Sequence, residues 1–489
     1  MTATDAAPGA PPAPTAARPA DSRAHRLRWY GLAVILAVEI MDLLDAMIVG
    51  IAAPSIRADL GGGATQIQWT TAAYTLAFAI LMITGARLGD LVGRRRMFLV
   101  GTLGFTLCSA LCAAAMNPEM LIAARVAQGA FAALVVPQGF GLIKEMFPPK
   151  EMGGAFAVFG PVMGLSAVGG PVLGGWLTGA DIFGLGWRSI FLINVPLGLF
   201  ALFAAGRTLP QGRTSTTTRL DLRGSALVGL GVLLLIFPLV QGHELGWPAW
   251  TYASMAAAVP VLAGFAWYQR RLRARGGDPL VEPSLFRNRA FVSALGVGTL
   301  IFAGMAGLML IFTLYLQMGL GFSPMHAGTT VIPWALGMSV AAAASGIKLG
   351  EKYGRYGLQV GLVIAAVGIG WLALTVHGAG ASVSSWQLAP VLLVTGLGLG
   401  LGMGPFFDIA LAGVTDEETG SASGVMNANQ QLGASVGVAV LGTVFFSAAS
   451  GDDFTGAAQW TMGIAATALV LASATAFLLP RKARAEGGH

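Results

Sequence analysis

The sequence predicts an all-α integral membrane protein with fourteen transmembrane helices, arranged as two pseudo-symmetric six-helix bundles plus an inserted helix pair. Three observations lead to this fold: the composition, the placement of basic residues and an internal repeat. The 489 residues are 55% hydrophobic and only 11% charged, whereas about a quarter of the residues of a soluble globular protein are charged. The composition therefore indicates a chain that crosses a membrane many times.

Fourteen apolar segments are long enough to cross the ~30 Å hydrocarbon core of a bilayer. They lie near residues 30–53, 68–87, 97–116, 119–143, 152–178, 187–206, 223–241, 250–269, 290–316, 325–346, 357–377, 388–411, 421–447 and 457–479. We number these segments 1 to 14 in chain order.

Lysine and arginine predict the orientation of the segments, because membrane proteins concentrate both residues in their cytoplasmic connections. With the N-terminus placed in the cytoplasm, 26 of the 29 Lys and Arg residues fall on the inner side. This distribution predicts that both termini are cytoplasmic. It also explains the net charge of +6 through membrane orientation, so that no nucleic-acid partner is expected.

An internal repeat divides the chain into halves. Residues 85–94 read GARLGDLVGR and residues 346–355 read GIKLGEKYGR, so glycine, base, Leu-Gly, acid, glycine and arginine recur in register. Repeats of this kind are typical of transporters built from two homologous halves. The resulting domain prediction is a disordered cytoplasmic tail over 1–28, an N-terminal bundle over 29–207, linkers with inserted helices 7 and 8 over 208–289, a C-terminal bundle over 290–480 and a cytoplasmic tail over 481–489.

Segment 1 carries three acids, Glu39, Asp42 and Asp45. A spacing of three residues places successive side chains about 60° apart around a helix and ~4.5 Å apart along it, so all three lie on one side. An ionised acid inside a membrane costs several kcal/mol unless it faces water, a partner or a bound cation. The three acids therefore predict a path for a substrate or for protons.

Arg125 is the single base well inside a predicted segment. It lies ~10 Å from the outer start of segment 4, and Asp45 lies ~14 Å from the outer end of segment 1, so the two are at similar depth. We expect Arg125 to face the cavity and to bias the protonation of Asp45, with Gln128 one turn away. The alternative is a static structural ion pair.

Three further features have two or more interpretations. Asp408 in segment 12 is a substrate contact, a second proton site, or an acid close enough to the inner surface to be hydrated. Glycines 396, 400 and 404 are spaced for helix packing or bending, and no strand or Gly-Lys-Ser/Thr element supports nucleotide binding. Most of the aromatic and methionine residues of segment 9 are expected to pack or to face lipid, with one or two lining an apolar pocket: Phe302, Met305, Met309, Phe312 and Tyr315.

Neither a cofactor nor a metal is expected. Cys108 and Cys112 are the only cysteines, both lie within segment 3, and no Cys/His cluster has metal-ligand spacing. The sequence thus predicts a protein that is not an enzyme and that draws its energy from a proton gradient or from the gradient of its substrate.

Six motifs are spread over most of residues 30–480: Leu44–Pro54, residues 85–96, Leu121–Gly129, Gly170–Gly175, the Trp187-Arg188 region and Pro283–Phe291. Together they resemble the motifs of the major facilitator superfamily, in particular its fourteen-helix drug:proton antiporter branch. In this resemblance Asp45 occupies the position of the branch's helix-1 acid. Gly170, Pro171, Gly174 and Gly175 form its antiporter motif.

The resemblance also implies a gate on the cytoplasmic side. Asp90 and the arginines beside it would hold the two halves together and release them during transport. The gating residues are Asp90, Gly93, Arg94 and Arg95 in the first half, with Glu351 and Arg355 in the second.

The function predicted is export of lipophilic small molecules in exchange for protons by alternating access, and the extra acids of segment 1 favour cationic ones. The expected partners are such a substrate, protons and membrane lipids, and the expected state is a monomer in a bacterial plasma membrane. An Ala-, Gly- and Arg-rich composition suggests an antibiotic-producing bacterium. Two alternatives stay open: a proton-coupled importer of a polar metabolite, and a membrane sensor that transports nothing.

Overall fold

The computed structural model describes residues 19–147, 151, 159–211, 220–242, 245–345, 354–411, 414, 418–449 and 453–481. Within these residues the chain is helical and contains no β-strand. The long helices follow the predicted segments in order, and we number them accordingly.

In the first half and the inserted pair, the helices are α1 (Pro19–Leu60), α2 (Ala64–Val92), α3 (Arg94–Ala113), α4 (Pro118–Met146), α5 (Phe159–Gly179), α6 (Asn194–Thr208), α7 (Leu222–Gln241) and α8 (Ala249–Ala274). In the second half they are α9 (Arg289–Leu314), α10 (Pro324–Thr330 and Ile332–Ala344), α11 (Arg355–Ala379), α12 (Ser385–Ala410), α13 (Thr419–Ala448) and α14 (Phe454–Thr475).

Eleven helices of the described chain are long and apolar enough to cross a membrane. The other three predicted segments fall on α1, which carries the acids, on α5, and on α10, which is divided at Val331. Helix α1 begins at Pro19, so the prediction of a disordered tail over residues 1–28 is wrong for residues 19–28, which are helical. A proline suits the first turn of a helix, where its missing N–H has no intrahelical partner.

The two halves pack their helices in the same pairs. In the first half α2 and α3 pack on α4, and α1 packs on α5 and α6. In the second half α10 and α11 pack on α12, and α9 packs on α13 and α14. Gly93 before α3 and Gly354 before α11 both have positive φ, +107° and +47°, a conformation that only glycine adopts at little cost. The sequence repeat is therefore also a structural repeat.

Helices α2 and α13 join the halves, as do α5 and α10. Thr75 of α2 and Ser435 of α13 share a hydrogen bond of 2.6 Å. Near Pro54, Gln317 donates a hydrogen bond to the carbonyl of Ile51 at 2.7 Å. Helices α7 and α8 pack on each other, and α7 also contacts α2 and α13. The inserted pair therefore lies against the junction of the two halves.

The glycine stripe of α12 is a packing surface, which confirms its predicted role at two positions. A Cβ atom on Gly396 would lie 2.1 Å from the carbonyl oxygen of Trp334, and one on Gly400 would lie 2.2 Å from that of Met338. Both separations are shorter than van der Waals contact, so a larger residue would force α10 away from α12.

Candidate functional site

A buried ion pair joins α1 to α4. Arg125 donates a hydrogen bond to the Asp45 carboxylate through Nη1, and the two residues are 1% and 2% exposed. The same nitrogen donates to Gln128 Oε1 at 2.8 Å, and Nε donates to the carbonyl of Thr70 at 3.0 Å. Arg125 and Asp45, which the sequence places at similar depth, are therefore in contact, and Gln128 belongs to their hydrogen-bond network.

Polar side chains of α4 and α6 also bind Asp45, and a serine of α3 binds both of them. Its Oδ1 accepts hydrogen bonds from Gln128 Nε2 at 3.0 Å and from Asn194 Nδ2 at 2.8 Å. Ser109 Oγ accepts from the same two amides, at 2.9 and 3.3 Å. Asn194 and Ser109 were not predicted to take part. The available signal was an amide and a hydroxyl inside apolar helices, where a polar group needs a partner.

Aromatic rings close the remaining sides of the guanidinium group. The Arg125 Cζ atom lies 4.2 Å from the centroid of the Tyr74 ring and 5.8 Å from that of Phe191. Neither Arg125 nor Asp45 lines the large cavity of the described chain. The expectation that Arg125 faces the cavity is therefore wrong for this conformation, because Tyr74, Phe191 and the backbone of Thr70 enclose its side chain.

The acid that does line the cavity is Asp42. It accepts a hydrogen bond from the hydroxyl of Tyr74, the same residue whose ring lies beneath Arg125. Tyr74 thereby connects an acid at the cavity wall with the sealed Arg125–Asp45 pair. Glu39, one turn further along α1, is buried at 9% exposure and is not part of the cavity wall.

The cavity has a volume of about 260 Å³ and lies between the halves, with walls from α1, α2 and α5 on one side and α9, α10 and α13 on the other. Its surface is mostly apolar: Met47, Phe302, Met305, Met309, Trp334 and Met338 are prominent contributors. The polar side chains in its wall are Asp42, Thr71, Thr75, Thr313, Gln430 and Gln431. An apolar cleft with a few placed polar groups is typical of sites for small molecules.

Helix α9 contributes more of this wall than predicted. Phe302, Met305 and Met309 line the cavity, whereas one or two such residues were expected. Phe312 and Tyr315 are fully buried in the core of the second half, as the packing interpretation predicted.

The predicted antiporter motif lies where α5 meets its neighbours. Cβ atoms on Gly170 and Gly174 would lie 3.1 Å from atoms of Met47 and Ile48 in α1, and Pro171 itself lines the cavity. A Cβ on Gly175 would lie 2.4 Å from the carbonyl oxygen of Pro324 in α10. The motif therefore permits close contact both within the first half and between the halves.

The predicted gating residues of the first half lie at the junction of α2 and α3. Arg94 forms a 2.9 Å ion pair with Asp90, and its Nε lies 3.6 Å from Glu145 of α4. Arg95 donates to the carbonyl of Gly206. All of these contacts lie within the first half, so a latch between the halves stays a prediction.

In the second half, Arg355 donates to the carbonyls of Phe477 and Leu479, at 2.9 and 2.8 Å, where α14 ends. Glu351 lies outside the described residues. Asp408 is exposed near the end of α12 and is not part of the cavity wall. The three interpretations of this residue therefore stay predictions.

Comparisons with known proteins agree with this architecture. The sequence profile of the Major Facilitator Superfamily matches residues 35–438. The chain is 51% identical over 419 residues to a probable actinorhodin transporter of Streptomyces coelicolor, covering 86% of this chain and 72% of that protein. It is 38% identical over 420 residues to the puromycin resistance protein pur8 of Streptomyces alboniger, covering 85% and 82%.

Among solved structures, an auto-inhibited POT family peptide transporter superposes with a TM-score of 0.66 over 92% of this chain and 96% of that one. Their sequences are 13% identical, so this likeness concerns the fold alone. The chain belongs to the Major Facilitator Superfamily, and its relatives support the drug-efflux branch of that family.

Proposed function

We propose that this protein exports lipophilic, cationic small molecules of the antibiotic type in exchange for protons. The observation that carries the proposal is the position of Asp42, a carboxyl group in the wall of an otherwise largely apolar cavity between the two halves. An apolar wall favours a lipophilic body, and a carboxylate in a setting of low dielectric strongly favours a cationic group. The names of the Streptomyces relatives, an actinorhodin transporter and a puromycin resistance protein, support an antibiotic as the substrate.

The chain crosses the bacterial plasma membrane fourteen times in this proposal, with both termini in the cytoplasm and the protein acting as a monomer. Helices α1 to α6 and α9 to α14 form two bundles related by a pseudo-two-fold axis, and α7 and α8 lie outside them. The matching helix pairs of the two halves and the placement of the basic residues support this arrangement. No cofactor takes part, because the proton gradient supplies the energy.

Two acids have different roles in the transport cycle. Asp42 meets the substrate, whereas Asp45 couples transport to protons from a position that the substrate does not reach. Tyr74 contacts both Asp42 and Arg125, so that a cation bound at Asp42 alters the electrostatic environment of the sealed pair. Protonation of Asp45 weakens its hold on Arg125 and favours release of the substrate. Opening and closing of the halves then exposes the cavity to each side of the membrane in turn.

Proton movement in liposomes tests this function. The full-length protein is reconstituted with a pH dye inside, an aromatic amine is added, and wild type is compared with Asp42→Asn and Asp45→Asn. We expect amine-evoked proton movement in wild type, a higher half-saturating amine concentration in Asp42→Asn, and no coupled proton movement in Asp45→Asn.

Asp453→Asn is the matched control, because Asp453 caps the N-terminus of α14 away from the cavity and asparagine caps a helix equally well. Proton movement that survives unchanged in Asp45→Asn would contradict the coupling role of Asp45. An unchanged amine requirement in Asp42→Asn would contradict the binding role of Asp42. Absence of amine-evoked proton movement in folded wild-type protein would contradict the function itself.

A further inference from the structure

Two glutamine side chains, Gln430 and Gln431 of α13, lie in the cavity wall. Both are half-buried and both line the cavity. In the described part of the chain neither side-chain amide forms a hydrogen bond, although the backbone carbonyl of Gln431 accepts one from Ser435 at 3.0 Å. Polar amides inside a membrane segment are costly unless they have partners, so this pair requires an explanation.

Two other amides within helices of the second half do have structural partners. Asn429, the residue before the pair, accepts a hydrogen bond from Thr299 Oγ1 at 2.9 Å and donates to the carbonyl of Leu295 at 3.1 Å. Gln359 donates to the carbonyl of Ser473 at 3.1 Å and so ties α11 to α14. Asn429 and Gln359 are therefore paired with a neighbouring helix, whereas the two glutamines line the cavity.

The chemistry of the pair defines the group that it recognises. Each glutamine offers a carbonyl oxygen as acceptor and an NH2 group as donor. The complementary ligand group is neutral and carries a donor beside an acceptor, and a carboxamide is the simplest such group. Because the rest of the wall is mostly apolar, little else competes for these hydrogen bonds once a ligand has displaced water.

We propose that Gln430 and Gln431 form a second recognition subsite, which selects substrates that carry a neutral hydrogen-bonding group in addition to a cationic one. The inference rests on the proposed function, because it assigns a further polar contact in the same cavity. Asp42 belongs to the first half and the glutamine pair to the second. A substrate that engages both sets of groups is held by both halves at once.

Two probes that differ in one group test the inference. The parent probe is an aminomethyl-anthracene, and its counterpart carries one added carboxamide on the ring system. Affinities are measured by isothermal titration calorimetry on the full-length protein in lipid nanodiscs. The variant is Gln430→Met with Gln431→Met, because methionine has a similar length, has no hydrogen-bonding amide and already occurs in this cavity at Met305 and Met309.

We expect wild type to bind the carboxamide probe roughly tenfold more tightly than the parent, as one or two net hydrogen bonds predict. The ratio should fall to about one in the double variant, while the affinity for the parent amine is retained. The matched control Gln359→Met removes an amide that binds another helix and should keep the wild-type ratio.

The outcomes separate this inference from the proposed function. Asp42→Asn should weaken the binding of both probes by the same factor and leave their ratio intact. If wild type binds the parent amine but shows no preference for the carboxamide, the inference is overturned and the proposed function stands. A preference that persists in the double methionine variant also overturns it. If folded wild type binds neither probe, both the inference and the cationic substrate class are refuted.

Discussion

Replacing Arg125 by methionine would remove the positive member of the buried pair while keeping a long apolar side chain. The variant loses hydrogen bonds to Asp45, Gln128 and the carbonyl of Thr70. Breaking a buried ion pair by removing one partner costs about 3–5 kcal/mol, because a charge is left without compensation. Asp45 retains donors from Gln128 and Asn194, so we expect a loss near the lower end of that range.

A double-mutant cycle isolates the interaction within the pair. Asp45→Asn with Arg125→Met removes both charges, so its loss should be smaller than the sum of the two single losses by roughly 2 kcal/mol. The assay is reversible unfolding in mixed micelles, which gives the free energy of unfolding of each variant. Arg188→Met is the matched control: Arg188 pairs with Asp59 at 2.5 Å with both side chains partly exposed, and such pairs contribute about 0–1 kcal/mol. An Arg125→Met loss no larger than that of the control, or strict additivity in the cycle, would refute the account of a tightly coupled buried pair.

Two further predictions concern the contacts outside this network. Asp59 accepts hydrogen bonds from Trp187 Nε1 at 2.9 Å and from a neighbouring arginine, and these hold its pKa below the usual range. A lowered pKa means that the contact stabilises the folded state above the unfolded pKa, about 4, and is lost as pH falls through the folded pKa. The difference in unfolding temperature between wild type and Asp59→Asn, measured from pH 7 down to pH 3, should therefore be constant above pH 5 and become smaller below it. A difference that grows on acidification would contradict a lowered pKa of Asp59. Gly328→Val should reduce the transport rate strongly, because a Cβ there would lie 2.1 Å from the carbonyl oxygen of Pro171 across the junction of the halves. The control Gly264→Val, at a position with open space, should transport like wild type. Equal uptake rates of the two variants in vesicles would show that the contact between Gly328 and Pro171 is not needed for transport.

The sequence could predict the depth of side chains better than their direction. Helix rise is fixed at 1.5 Å per residue, so counting from the ends of two helices placed Arg125 and Asp45 at one level, and they do meet. Which groups face the cavity depends on the rotation of each helix against its neighbours. The spacing of three placed Asp42 and Asp45 on one side of α1, yet of the two only Asp42 lines the cavity, because Asp45 has polar partners in α4 and α6.

The fold followed from signals that are repeated many times along the chain, namely long apolar segments, basic connections and a repeat with glycine at matching positions. The proposed binding surface lacks repeated signals of this kind. Gln430 and Gln431 are neutral residues in a run of small polar and apolar ones, and their role depends on Asn429 being paired while they are not. A sequence alone does not show which side-chain amides form hydrogen bonds with a neighbouring helix.

The separation of the two acids has a consequence for substrate range. If the acid that binds the cation also carried the proton, each substrate would have to fit the geometry of proton transfer as well as the cavity. Here the wall that we propose the substrate touches includes flexible methionines, aromatic rings, one acid and two unpaired amides, whereas the pair that we propose to couple protons is enclosed behind Tyr74 with fixed partners. Changes in the wall can therefore alter specificity without altering coupling, and this predicts that substitutions at Met305 or Met309 change which amines are exported while the proton movement per exported amine stays constant.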